Sequence, residues 1–180
     1  MKQFINRTSA IFLFCVLVSS AYAQTVLVSP KYKLMRTCEI KGTDENYYYY
    51  YLLDDYHEFV QQKADRHLES LIDEIHRPFV CNPMEVFDAN VRDVVNRTLS
   101  DKEKKRMFHT IFVETVIDVN GNVLFVKLES SQLLDKYISP KHLTSILHQV
   151  KRLTTDCMRK GLPANGYTGY TVPNRFRKKP

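Results

Sequence analysis

"ETVIDVNGNVLFVKLESS", Glu114 to Ser131, is the stretch from which the fold is read. Two runs of alternating apolar residues meet at Asn120-Gly121. That dipeptide is the strongest short-range signal for a two-residue hairpin turn, because both central residues need positive φ. Pairing Val119 with Asn122 then sets the register. One face carries Ile111, Val113, Thr115, Ile117, Leu124, Val126 and Leu128, and it is expected in the core. The other carries Phe112, Glu114, Val116, Asp118, Val123, Phe125, Lys127 and Glu129. Glu114 falls opposite Lys127, an attractive cross-strand pair contributing roughly 0.2–1 kcal/mol. Phe112, Val116 and Phe125 are left over on this half-polar face. They are either capped by helices from the N-terminal part or presented to a partner.

Downstream, Ser139 and Pro140 read as the N-cap and first residue of a helix. Leu143, Ile146, Leu147, Val150, Leu153 and Cys157 form its apolar stripe, and Gly161 is a C-terminal stop. "NGYTGYTVPNRF" follows as a third strand. Pro173, which has no N–H, marks that strand as an edge or as the end of pairing.

Upstream, Val26 to Ile40 is apolar-rich and reads as a short strand. Tyr47 to Tyr51 is a run of tyrosines. We read it as the start of the next helix, with a glycan-binding aromatic strip as the alternative. Leu52, Leu53, Tyr56, Phe59, Val60, Ala64, Leu68, Leu71, Ile72 and Ile75 follow helical spacing, so a long amphipathic helix is expected up to Pro78. A second helix starts at Asn82-Pro83 and uses Phe87, Val91, Val94 and Val95. Ser100 with Glu103 is a capping box that opens a last charged turn. The expected class is therefore α+β: two N-terminal helices preceding a small β-β-α-β antiparallel-sheet module. Residues 24–106 are the mainly helical part and residues 107–180 the module.

The first 23 residues give the address. Lys2 and Arg7 precede an apolar run, Ile11 to Val18, and Ala21-Tyr22-Ala23 is an A-x-A cleavage site, so a secretory signal peptide ending at Ala23 is expected. The run is shorter than the ~20 apolar residues of a membrane span. Phe14 before Cys15 does not suit a lipidation site. The mature chain is expected to begin at Gln24, exported to the periplasm or cell exterior, with no stable membrane insertion. Cleavage lowers the formal charge from +6 to +4, since Lys2 and Arg7 leave and no acid does. That mild excess, partly in the tail Arg175, Arg177, Lys178 and Lys179, is not a nucleic-acid-binding composition. Cys38, Cys81 and Cys157 remain, an odd number in an oxidising compartment. They read as structural, with Cys157 as a buried unpaired thiol.

Catalytic and metal motifs are missing. "HEFVQ" at His57 lacks the second histidine of H-E-x-x-H, and no P-loop, G-x-S-x-G or G-x-G-x-x-G occurs. Glu69, Asp73 and His76 share one side of a helix turn and read as a solvated face, not a metal site. Asn96-Arg97-Thr98 matches a glycosylation sequon inside a helical pattern. No enzyme, metal or cofactor is expected, although an enzyme whose site is assembled only in space is kept as an alternative.

Taken together, "VIDVNGNVLFVKLESS", the helix after it and "LPANGYTGYTVPNRF" resemble the C-terminal domain of TonB, the periplasmic energy transducer. The resemblance rests on Asn120, Gly121 and Asn122, on Ser130 and Ser131, on Pro163, Asn165 and Gly166, and on Pro173 and Phe176. It covers about Met107 to Phe176. It departs from the family in having a cleavable leader, no Pro-rich linker and no aromatic before the turn proline, so it does not imply a complete energy transducer. It implies a mode of binding, in which an extended peptide from an outer-membrane protein pairs with the sheet edge. The matching strand is Tyr167, Thr168, Gly169, Tyr170, Thr171 and Val172, with Phe112, Val116 and Phe125 as a secondary surface. The expected partner is an envelope or outer-membrane protein or peptide, with a glycan bound at Tyr47–Tyr51 as the alternative.

Overall fold

A computed structural model describes residues 24–41, 45–65, 83–107, 110–118, 120–155 and 164–171. Its strands are β1 (Gln24–Ser29), β2 (Leu34–Lys41), β3 (Glu45–Leu52), β4 (Ile111–Ile117), β5 (Val123–Ser130) and β6 (Ala164–Tyr170). Its helices are α1 (Leu53–Asp65), α2 (Pro83–Thr98), α3 (Asp101–Arg106) and α4 (Pro140–Lys151). The strands form one antiparallel sheet in the order β1-β2-β3-β5-β4-β6.

This overturns the expected architecture while leaving it α+β. The chain does not open with two helices followed by a separate β-β-α-β module. Three strands come first, and β3 pairs with β5, so the hairpin continues the N-terminal sheet. The misreading lies at Tyr47–Tyr51, which is strand and not the start of a helix. Tyr50 is fully buried among the core residues, and Tyr49, one step along and on the opposite face, is only 5% exposed. A strand covered on both faces has no polar alternation to announce it. α1 begins only after Leu52, and its expected continuation through Ile75 lies outside the described residues.

α2 and α4 cover one face of the sheet. Phe87, Val91, Val94 and Val95 of α2 and Leu143, Ile146, Leu147 and Val150 of α4 meet Leu34, Tyr50, Ile111, Val113, Ile117, Val126 and Leu128. Leu134 and Ile138, ahead of α4, fill the same core. Polar ties join the N-terminal strands to this layer. Asp135 accepts from Arg36 Nη1 at 2.7 Å and from the Tyr50 hydroxyl at 2.6 Å. Burial and the Asp135 carboxylate together hold the Tyr50 phenol protonated well above its ordinary range. Lys151 of α4 reaches Asp55 and Glu58 of α1 at 2.6 and 3.0 Å.

Two caps are as expected. Ser100 and Glu103 form the capping box of α3, and Ser139 with Pro140 starts α4. α4 ends at Lys151, earlier than the stripe through Cys157 suggests, because the following residues turn to the hairpin. Thr155 gives its N–H to the Gly121 carbonyl at 2.9 Å, and Thr154 bridges Asn122.

The hairpin itself departs from a two-residue turn. The Gly121 N–H bonds the Asp118 carbonyl at 3.1 Å, and Asp118 gives its own N–H to the Asn122 carbonyl at 2.9 Å. Gly121 has φ +84°, whereas Asn120 is not among the positive-φ residues. This is a three-residue loop closed by a left-handed glycine. The Asp118 carboxylate stabilises it by accepting from the N–H groups of Asn120 and Asn122 at 2.8 and 2.9 Å. A register shift follows, so Ile117 pairs with Val123 while Val116 pairs with Phe125, leaving Leu124 as the extra residue. Beyond it the expected register returns: Glu114 lies opposite Lys127, and their charged groups are 2.9 Å apart. Val123, not Leu124, is therefore the residue buried on the core face.

Candidate functional site

β6 is an outer strand. Its pairing runs from Ile111–Tyr170 to Ile117–Ala164, and among the described residues it has no strand on its other side. Of the edge residues named from sequence, Tyr167, Thr168, Gly169 and Tyr170 lie in β6, Thr171 follows it, and Val172 lies outside the described residues. Tyr170 is a core residue whose hydroxyl donates to Asn96 Oδ1 at 3.1 Å. That bond also ties the sequon asparagine of α2 to the sheet.

The bonding direction of β6 follows from the hairpin. Asp118 points its N–H at β5. Alternate residues of a strand point their backbone groups to opposite sides, so Phe112, Glu114 and Val116 also face β5. Ile111, Val113, Thr115 and Ile117 then face β6 and bond Tyr170, Thr168, Gly166 and Ala164, their register partners. The outward donors and acceptors are those of Asn165, Tyr167, Gly169 and Thr171. They make a row of outward main-chain groups along one side of the sheet, with which no other described strand pairs.

The secondary surface divides. Phe112 and Val116 lie on the sheet face away from α2 and α4, and their register partners on β6 are Gly169 and Asn165. Phe125 lies on the same face but is covered: it stacks on Phe59 of α1 with ring centroids 5.0 Å apart, and Tyr51 and Tyr56 close around it. Phe125 is therefore part of the seat of α1.

Tyr49 stands on this face between the two neighbouring strands, opposite Thr37 on β2 and Glu129 on β5. Burial, then the carboxylates of Glu129, Glu39 and Glu114, hold its phenol protonated well above the usual range. Lys127 Nζ sits 4.6 Å from its ring centroid and completes the charge balance with Glu114. Sequence reading missed this cluster. Its signal was the tyrosine run itself: read as a strand, it puts Tyr47, Tyr49 and Tyr51 on one face. None of the tyrosines from Tyr47 to Tyr51 is fully exposed, which does not suit a glycan-binding strip.

Cys38 is a half-buried free thiol on β2, while Cys81 and Cys157 lie outside the described residues. Glu69, Asp73 and His76 lie there too. Among the described residues no group of three or more His, Cys, Asp or Glu side chains is arranged to hold a metal ion. No helix among them is long and apolar enough to cross a membrane.

No family model matches the chain, and no curated protein matches it. A solved structure does: a DUF5043 family protein from Bacteroides uniformis, 7% identical, with a TM-score of 0.54. The match covers 89% of this chain and 91% of that one. At that identity the likeness is one of fold alone.

Proposed function

We propose that this chain is an exported binding protein of the bacterial cell envelope, which holds an extended segment of an envelope or outer-membrane protein along the free side of β6. The observation that carries the reading is the row of outward backbone groups at Asn165, Tyr167, Gly169 and Thr171, on a strand paired only with β4 among the described residues. An unpaired strand edge is a template for another strand, and main-chain hydrogen bonds supply the affinity. The resemblance of Met107–Phe176 to TonB C-terminal domains supports the same mode, since the family's peptide-pairing strand matches β6. Phe112 and Val116 lie one strand in from the edge, where they offer apolar contact to a side chain of the added strand.

The test is a pull-down from envelope extract with the chain from Gln24 onward. A proline at Thr171 deletes an outward donor and leaves the backbone pairing of β6 with β4, at the loss of one exposed hydroxyl contact to Thr110. Thr171→Pro is expected to keep the wild-type melting temperature and lose the captured partner. Thr25→Pro, on the opposite edge strand, is the control and is expected to keep it. A partner captured equally by wild type and Thr171→Pro refutes edge pairing at β6.

A further inference from the structure

We propose that the exported protein carries 5-oxoproline (pyroglutamate) in place of Gln24. The inference goes beyond the binding role and rests only on its export, with cleavage after Ala23. Cleavage there leaves a glutamine with a free α-amine and, three bonds along its own side chain, a carboxamide. The α-nitrogen attacks Cδ and forms a five-membered lactam. The Cδ–Nε2 bond breaks, and the nitrogen leaves as ammonia with the proton given up by the amine. No oxidant, reductant or second substrate is consumed.

The fold places this chemistry at a particular point. β1 begins at Gln24, which is exposed, so its carboxamide is open to solvent. Gln24 is opposite Cys38. The Lys33 carbonyl accepts from the Leu53 N–H at 3.0 Å, so the odd-numbered residues of β2 face β3 and the even-numbered ones, Cys38 among them, face β1. Gln24 and Cys38 are thus a hydrogen-bonded pair, the first rung of an outer strand. An uncyclised terminus puts an amine there, and α-amino groups titrate at about 7.7–8.0, so the rung is charged at neutral pH. The lactam removes the charge; its ring carbon takes the position of the strand N–H, as in proline, and the N–H that remains points where the preceding residue stood. The ring restricts φ, which is tolerated at the first residue of a strand. The outermost strand is then closed to aminopeptidases, which need a free terminal amine.

Mass spectrometry on protein exported from the full chain tests the proposal, together with the tryptic peptide Gln24–Lys31. At harvest the expected mass is that of Gln24–Pro180 less one ammonia, the loss maps to that peptide, and N-terminal sequencing reads nothing. Gln24→Ala is expected to show the full linear mass and a readable terminus. Uncyclised Gln24 at harvest, converting only on storage, overturns the modification and leaves export standing. A retained leader, cleavage elsewhere or a lipid on Cys15 overturns both.

Discussion

Gly121 is held to glycine by two separate constraints. Its φ of +84° lies where an L side chain is strained, and a Cβ there would stand 1.9 Å from the Thr155 carbonyl oxygen. The first constraint costs about 1–2 kcal/mol, and the second forces the α4 exit away from the turn. Gly121→Ala is expected to destabilise the protein by about 2–4 kcal/mol and to lower Tm by several degrees in thermal denaturation. Asparagine tolerates the left-handed region but meets the same carbonyl, so Gly121→Asn is expected to fall short of wild type as well. A wild-type Tm for Gly121→Asn means that φ alone matters. At this scale Asn120-Gly121 announced the turn and the glycine correctly. It did not reveal the loop length, because the Asp118 carboxylate selects the three-residue loop and the extra residue at Leu124 absorbs the difference.

Glu103 joins two helices. One carboxylate oxygen accepts from the Ser100 N–H at 2.9 Å, the Ser100 hydroxyl at 2.7 Å and His142 Nδ1 at 2.7 Å. The other accepts from the Ser139 N–H, at the start of α4, at 2.9 Å. Burial alone would raise this carboxyl, but the bonds from Ser139, Ser100 and His142 outweigh it and bring the pKa from 4.5 down to about 2. A carboxyl depressed on folding stabilises the native state above its unfolded pKa, and that stability is lost as pH falls through the folded value. Wild type is therefore expected to lose about 2–3 kcal/mol from this group between pH 4.5 and pH 2. Glu103→Gln is expected to be less stable at pH 7 and to lack that acid limb in urea titrations run across this window. Parallel acid profiles for the two proteins refute the linkage. The capping box was legible because Ser100 and Glu103 are three residues apart. The bonds to Ser139 and His142 were not, since they exist only once α3 and α4 pack.

One sheet joins strands from both halves of the chain. β3 pairs with β5 across a long stretch of chain, and Leu34, Tyr50 and Leu52 share one core with Val113, Leu128 and Ile146. A fragment of residues 107–180 would expose the side of β5 that β3 covers and lose the packing of α2. It is expected to give poor chemical-shift dispersion and no cooperative melt, while the chain from Gln24 to Pro180 gives both. A cooperative melt from the short fragment restores the separate C-terminal module.

Local rules determined what local chemistry controls: the leader with its A-x-A site as an expectation, the caps at Ser100 and Ser139, Pro83 opening α2, the Glu114–Lys127 register, and an outer last strand. Each depends on residues within a few positions of one another or on a single strand pairing. Tertiary structure decided the rest. Whether Tyr47–Tyr51 is helix or strand depends on β2 and β5 being present to bond it: tyrosine favours strands, but the helical spacing that follows from Leu52 pulls the reading the other way. Whether Phe125 meets a partner or the protein's own α1 depends on where that helix lies after β3. Whether β6 stands at the end of the sheet depends on the strand order, in which the N-terminal strands join at β5 and no described strand pairs beyond β6.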